Sequence, residues 1–197
     1  MWCMRNGKAV NDINLYQSAR EQMQPGDGIF FYGNAPISHI IETVAGGPSH
    51  VAIVQEAMTG FADVLITQST IEGELNGVQS EYLGWTLANY GVGARAEWTP
   101  LLPIVREKAN WAAFYKCIAA STGRVHYDRT GLVLYALHDI FPHLPKPPDK
   151  GYEMFCSAWA TVLGQAAEII DPSIAYRDVS PDALRKMPLW GTGVKIL

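Results

Sequence analysis

Apolar residues in the first half of the chain come in short runs that are typical of β-strands. Gly28–Gly33 reads GIFFYG and follows the breaker Pro25-Gly26, which predicts a short buried strand. Ser49–Ala57 and Asp63–Thr70 are rich in strand-forming residues and flank a turn, which predicts an antiparallel pair. The remaining predicted strands are Val78–Leu83, Ala94–Leu101 and an edge strand at Gly193–Leu197.

Helical periodicity begins in the N-terminal residues and dominates the second half of the chain. The predicted helices lie within residues 1–24 and at Ile37–Val44, Arg106–Gly123, Arg129–Ile140, Glu153–Ile170 and after the cap Ser180-Pro181-Asp182. The stretch Phe141–Gly151 contains four prolines and is predicted as a semi-rigid connector. These elements predict an α+β fold with a small antiparallel sheet of about five strands and a helical insertion at about 106–140.

The composition is that of one globular domain. Of the 197 residues, 48% are hydrophobic and 17% are charged, so a single core is expected. We expect residues 1–23 to form an N-terminal helical arm and residues 24–197 to form the domain. The net charge is −4 and no basic run occurs, so nucleic acid is not an expected partner.

Cysteine and histidine spacing gives no indication of a metal or another cofactor. The three cysteines are an odd number without CxxC spacing, and the histidines form no HxxxH or HxH pair. The odd number of cysteines indicates reduced thiols. Arg5 and Lys8 interrupt the N-terminal apolar stretch, so the sequence shows no signal-peptide pattern, and a cytoplasmic protein is expected. No apolar run approaches the ~18 residues that a transmembrane helix needs, so a soluble protein is expected.

Cys156 is the candidate nucleophile. It follows the proline-rich stretch and lies in the first turn of a predicted apolar helix, where unpaired N–H groups and the helix dipole lower a thiol pKa. Its flanking residues, Phe155 and Trp159, are equally typical of a small residue in a core.

His50 is the candidate general base, because strand alternation would project it and Ala52 from one face of a rigid strand. A solvated histidine at a strand end is the alternative, and His39, His126, His138 and His143 are competitors. Gln68, on the neighbouring predicted strand, has an amide that can orient an imidazole ring, or it is simply a solvated strand residue.

Together these segments resemble the circularly permuted papain-like hydrolases, the YiiX-like branch of the NlpC superfamily. The resemblance runs from about Gln24 to Trp190, with the His-bearing strand preceding the Cys-bearing helix. Its motifs are Gln24-Pro25-Gly26-Asp27, Ile37-Ser38-His39-Ile40-Ile41, Ser49-His50-Val51-Ala52-Ile53-Val54, Gln68-Ser69-Thr70, Gly77-Val78-Gln79, Tyr127-Asp128, Phe155-Cys156-Ser157 and Val179-Ser180-Pro181-Asp182-Ala183-Leu184.

The resemblance implies a cysteine hydrolase that cleaves amide or peptide bonds through a thioester. Cys156 would be the nucleophile and His50 the base, and Gln68 would occupy the third position, where relatives often carry Glu. The implied substrates are peptides, including cell-wall peptides and isopeptides. A lipid acyltransferase or thioesterase acting on acyl lipids remains open, as does a binding protein that keeps the fold without turnover.

Overall fold

A six-stranded antiparallel sheet forms the centre of the fold. The structure, a computed structural model, describes residues 13–33, 47–58, 62–71, 76–91, 93–128 and 153–197. The strands are β1 Gly28–Tyr32, β2 His50–Glu56, β3 Leu65–Thr70, β4 Gly77–Tyr82, β5 Arg95–Thr99 and β6 Val194–Lys195, in the order β4-β3-β2-β1-β5-β6. The predicted strand positions, the β2–β3 pairing and the edge strand at the C-terminus are confirmed.

Helices flank this sheet. They are α1 Asn14–Ala19, α2 Leu83–Asn89, α3 Pro103–Arg106, α4 Trp111–Ser121, α5 Cys156–Ala166 and α6 Pro181–Arg185. The predicted cap of α6 is confirmed, because the Ser180 hydroxyl accepts from the Ala183 N–H at 3.1 Å. The helices predicted at Ile37–Val44 and Arg129–Ile140, and the proline-rich connector, lie outside the described residues.

The sheet has an apolar core on each face, so the described fold has three layers. On one face, Phe30, Val51 and Ile53 pack with residues of α4, α5 and α6. On the other face, Phe31 and Ala52 pack with residues of α1 and α2. The N-terminal helix therefore contributes to the second core.

Helix α2 lies between β4 and β5, where the hydrophobic pattern predicted no helix. Leu83 and Leu87, four residues apart, are buried on one side of it. Gly84 lies so close to Asp63 that a Cβ atom there would collide with the carboxylate, whose Oδ2 accepts from the Gly84 N–H at 3.0 Å. Absence of a side chain at Gly84 thus allows the helix to start against this carboxylate.

Helix α5 begins three residues later than predicted, at Cys156. Residues before it are extended because they pair with the segment around His126: the Met154 N–H donates to the His126 carbonyl at 2.8 Å. A buried ion pair supports this pairing, with Arg177 donating to Asp128 Oδ2 and to the Glu153 carbonyl, each at 2.7 Å. Tertiary pairing therefore fixes the residue at which the cysteine-bearing helix starts.

Candidate active site

His50 is the first residue of β2, and its ring lies on the α2 side of the sheet. The ring centroid is 5.5 Å from that of Phe31 and 6.2 Å from that of Tyr90. Ala52 belongs to the core on the same side, whereas Val51 and Ile53 belong to the opposite core. The alternation predicted for β2 is therefore confirmed, and His50 is 9% exposed rather than solvated.

Gln68, on β3, contacts His50 directly. Its Oε1 lies 2.7 Å from His50 Nε2, and both side chains are buried. The alternative of a solvated strand residue is therefore wrong for Gln68, and the structure brings together two of the three predicted site residues.

Cys156 occupies the first position of α5, and β3 anchors this end of the helix. Ser69 Oγ donates to the Met154 carbonyl at 2.6 Å, and the Trp159 indole donates to Thr67 Oγ1 at 3.2 Å. Thr67 and Ser69 project toward α5, while Gln68 between them projects toward His50. One strand thus holds both the histidine and the start of the cysteine-bearing helix.

The sulfur of Cys156 lies beside the backbone of the histidine-bearing strand. Burial raises the pKa of the Cys156 thiol to about 11, and N–H groups of Val51, Ser157 and Cys156 itself oppose this increase. The Val51 N–H belongs to the peptide that directly follows His50. The helix-start N–H groups act in the predicted direction, but burial outweighs them, so the prediction of a lowered thiol pKa is wrong for this structure.

Burial also governs His50. It lowers the pKa of the imidazole to about 4, and the hydrogen bond to Gln68 only partly opposes it. At neutral pH both side chains are therefore uncharged. The groups that alter the thiol pKa are backbone N–H groups rather than the imidazole, so the pairing of Cys156 with His50 stays a prediction.

The competing histidines and the other thiols lie elsewhere or outside the described residues. His126 is exposed, and its backbone pairs with Gly77 and Glu153. Cys117 lies within α4 and is partly exposed. Cys3, His39, His138 and His143 lie outside the described residues.

Sequence reasoning missed a carboxylate and a cavity next to Gln68. Glu81 Oε2 accepts from Gln68 Nε2 at 3.0 Å and from Thr86 Oγ1 at 3.3 Å. A cavity of about 40 Å³ adjoins these groups, large enough for one or two waters. It is lined by Gln68, Thr70, Glu81, Trp85, Thr86, Asn89 and Tyr90. Recognition of α2 from Leu83 and Leu87 would have placed Thr86 near this strand end.

No family model matches the chain, and no curated protein matches its sequence. The crystal structure of the metalloprotein YiiX from Escherichia coli O157:H7 (DUF1105) is similar to it, with a TM-score of 0.58. The alignment covers 88% of this chain and 97% of YiiX at 16% sequence identity. The fold is YiiX-like.

This similarity confirms a YiiX-like fold. At 16% sequence identity it concerns the fold alone. Across the described ranges, no three His, Cys, Asp or Glu side chains cluster in a way that could hold a metal ion. None of the helices in these ranges is long and apolar enough to cross a bilayer.

Proposed function

We propose that the protein is a cysteine hydrolase that transfers an acyl group from an amide or peptide to Cys156 and then to water. In this proposal the YiiX-like fold is a permuted papain-like fold of the NlpC type. Cys156 is the nucleophile, His50 is the general base, and Gln68 orients the imidazole ring.

The observation that carries the proposal is the buried His50–Gln68 pair on strands that also hold the start of α5. A hydrogen bond of 2.7 Å fixes the imidazole, and a base must be held in this way to transfer a proton. Ser69 and Thr67 anchor α5 from the same strand that carries Gln68. The order of the histidine-bearing strand and the cysteine-bearing helix is the one that the resemblance implies.

The proposed reaction starts from a neutral thiol and a neutral imidazole. As the Cys156 sulfur forms a bond to the carbonyl carbon, the thiol proton has to pass from the α5 side of the sheet, around the start of β2, to the ring nitrogen of His50 that Gln68 does not contact. The Cys156 N–H, at the start of α5, is a donor for the oxyanion that forms. The C–N bond then breaks, His50 returns the proton to the leaving amine, and water hydrolyses the thioester.

Peptides, including cell-wall peptides and isopeptides, are the proposed substrates. An ester leaving group would follow the same steps, so acyl transfer from lipids is a variant of this chemistry on the same residues. YiiX is a metalloprotein, but the described residues of this chain provide no cluster of three metal ligands. The proposed reaction is carried by Cys156, His50 and Gln68.

A binding protein without turnover is the second candidate, and one observation favours it. Cys156 is 2% exposed, and burial raises its pKa to about 11, so the resting thiol is neutral and covered. A substrate would have to reach the sulfur through a change in the neighbouring residues, whereas a binding protein needs no such access.

Acylation by p-nitrophenyl acetate separates the two candidates. This activated ester delivers one acetyl group to a competent nucleophile, and intact-protein mass spectrometry with peptide mapping locates it. We expect a transient acetyl adduct on Cys156 that disappears in Cys156→Ala. In His50→Ala its formation should slow at least about 100-fold, the scale of general-base catalysis.

Cys117→Ala is the matched control, since it removes another thiol and should leave the adduct unchanged. An adduct confined to Cys117 would contradict the hydrolase, and so would the absence of any adduct in the folded wild type. Either result would leave the binding protein as the better proposal. Equal acylation rates in wild type and His50→Ala would remove His50 from the reaction.

A further inference from the structure

The Gln68 amide contacts a histidine on one side and a carboxylate on the other. On β4, Gln79 is directly paired with Gln68, and Glu81 lies two residues further on the same face. Glu81 Oε2 is 3.0 Å from Gln68 Nε2, while His50 Nε2 is 2.7 Å from Gln68 Oε1. Glu81, Gln68 and His50 are therefore joined in a continuous series of hydrogen bonds across β4, β3 and β2.

Hydrogen-bond chemistry determines which group donates and which accepts at each step of this series. An ionised carboxylate only accepts, so the Gln68 group that faces Glu81 has to be the NH₂ group. The amide oxygen then faces His50, and because a carbonyl oxygen only accepts, His50 Nε2 must carry the hydrogen. A neutral imidazole has one N–H, which leaves Nδ1 with the lone pair.

We propose that Glu81 is a positioning residue that sets the tautomer of His50 through Gln68. The carboxylate fixes the amide, the amide fixes the Nε2–H tautomer, and Nδ1 remains as the basic nitrogen. The role in catalysis rests on the proposed function, because only a reacting thiol would use that lone pair. The tautomer itself is a property of the resting protein and needs no substrate.

Thr86 keeps the carboxylate in place from α2. Its hydroxyl lies 3.3 Å from Glu81 Oε2 and also lies 3.2 Å from the Tyr82 carbonyl. Thr86, on the short helix that follows β4, thus holds the Glu81 carboxylate that accepts from Gln68. Gln68 occupies the position where the resemblance implies Glu, and here a carboxylate lies one hydrogen bond further from the imidazole.

Nitrogen-15 NMR of the full-length protein tests the proposal directly. Long-range ¹H–¹⁵N spectra distinguish a protonated from an unprotonated ring nitrogen, and His50→Gln identifies the His50 signals. Spectra are taken at about pH 8, well above the usual histidine pKa. In the wild type we expect the Nε2–H form to exceed the Nδ1–H form at least about tenfold, because charged acceptors make the stronger hydrogen bonds.

Glu81→Gln keeps the shape of the side chain and removes its restriction to accepting. The new amide at position 81 can donate to a flipped Gln68 oxygen, and Gln68 would then donate to His50. We expect the two tautomers of His50 to approach similar populations, within about threefold of each other, since the competing bonds are now neutral. Ser80→Ala, which removes the neighbouring hydrogen bond to Gln55, is the control and should leave the wild-type ratio.

The exchanged pair Gln68→Glu with Glu81→Gln should restore the Nε2–H tautomer, because the carboxylate next to His50 again only accepts. An Nδ1–H form of His50 in the folded wild type would overturn the proposal without any variant. A wild-type ratio that persists in Glu81→Gln would overturn it as well. Failure of p-nitrophenyl acetate to acylate Cys156 would instead refute the hydrolase and leave these tautomer ratios unaffected.

Discussion

Burial of a neutral His50 predicts that the protein loses stability in mildly acidic solution. Burial lowers the pKa of the imidazole from 6.5 to about 4. The unfolded chain therefore binds a proton near pH 6.5 that the folded chain resists, and the folded state is disfavoured as pH decreases. The contribution of His50 to the free energy of unfolding is fully present above pH 6.5 and is lost progressively toward about pH 4.

The size of this effect follows from the two pKa values. At about 1.36 kcal/mol per pH unit, the complete loss is about 3 kcal/mol, with about 2 kcal/mol lost between about pH 7 and pH 5. This pH interval lies above the usual range of carboxyl groups. Urea unfolding at these two pH values measures the free energy of unfolding of the wild type and of His50→Gln, which carries no titrating group at this position.

The wild type should lose about 2 kcal/mol more than His50→Gln between the two pH values. His126→Gln is the matched control, because the His126 side chain is exposed, and it should keep the pH dependence of the wild type. Identical pH dependence in wild type and His50→Gln would refute the reasoning. A ¹H NMR titration of the wild type, with a His50 midpoint near 6.5 instead of about 4, would refute it independently.

Two further predictions concern the ion pair and the thiol. Arg177→Ala should lower the free energy of unfolding by about 3–5 kcal/mol, because it leaves buried Asp128 without its guanidinium partner. Lys186→Ala, which removes a pair with an exposed lysine, is the control and should lower it by at most about 0.5 kcal/mol. Similar urea midpoints for the two variants would contradict this prediction. The alkylation rate of Cys156 by iodoacetamide should rise about tenfold per pH unit from neutral pH toward its pKa of about 11; a plateau below about pH 7 in peptide-resolved mass spectrometry would indicate a preformed thiolate.

Local sequence patterns predicted the strands and the helix that carry the candidate site. Long-range contacts determined the pKa of its thiol and the neighbours of Gln68. Alternation in β2 placed His50 opposite Val51, and both positions are confirmed. The direction of the Cys156 pKa shift was missed, because it depends on burial by segments distant in sequence. Glu81 was missed for a similar reason: its contact with Gln68 depends on the register of β3 and β4, which no single strand encodes.

Alternate residues of β2 pack into the cores on the two faces of the sheet, and this limits the registers in which the strand can pair. A slip of one residue against β1 would turn every side chain of β2 to the other face of the sheet. Val51 would then face Gln68, and the imidazole of His50 would enter the apolar core around Trp159. Such a slip places a polar ring among apolar side chains, so the misregistered strand is costly. Selection for a well-packed sheet therefore also preserves the contact between His50 and Gln68, whether or not these side chains take part in a reaction.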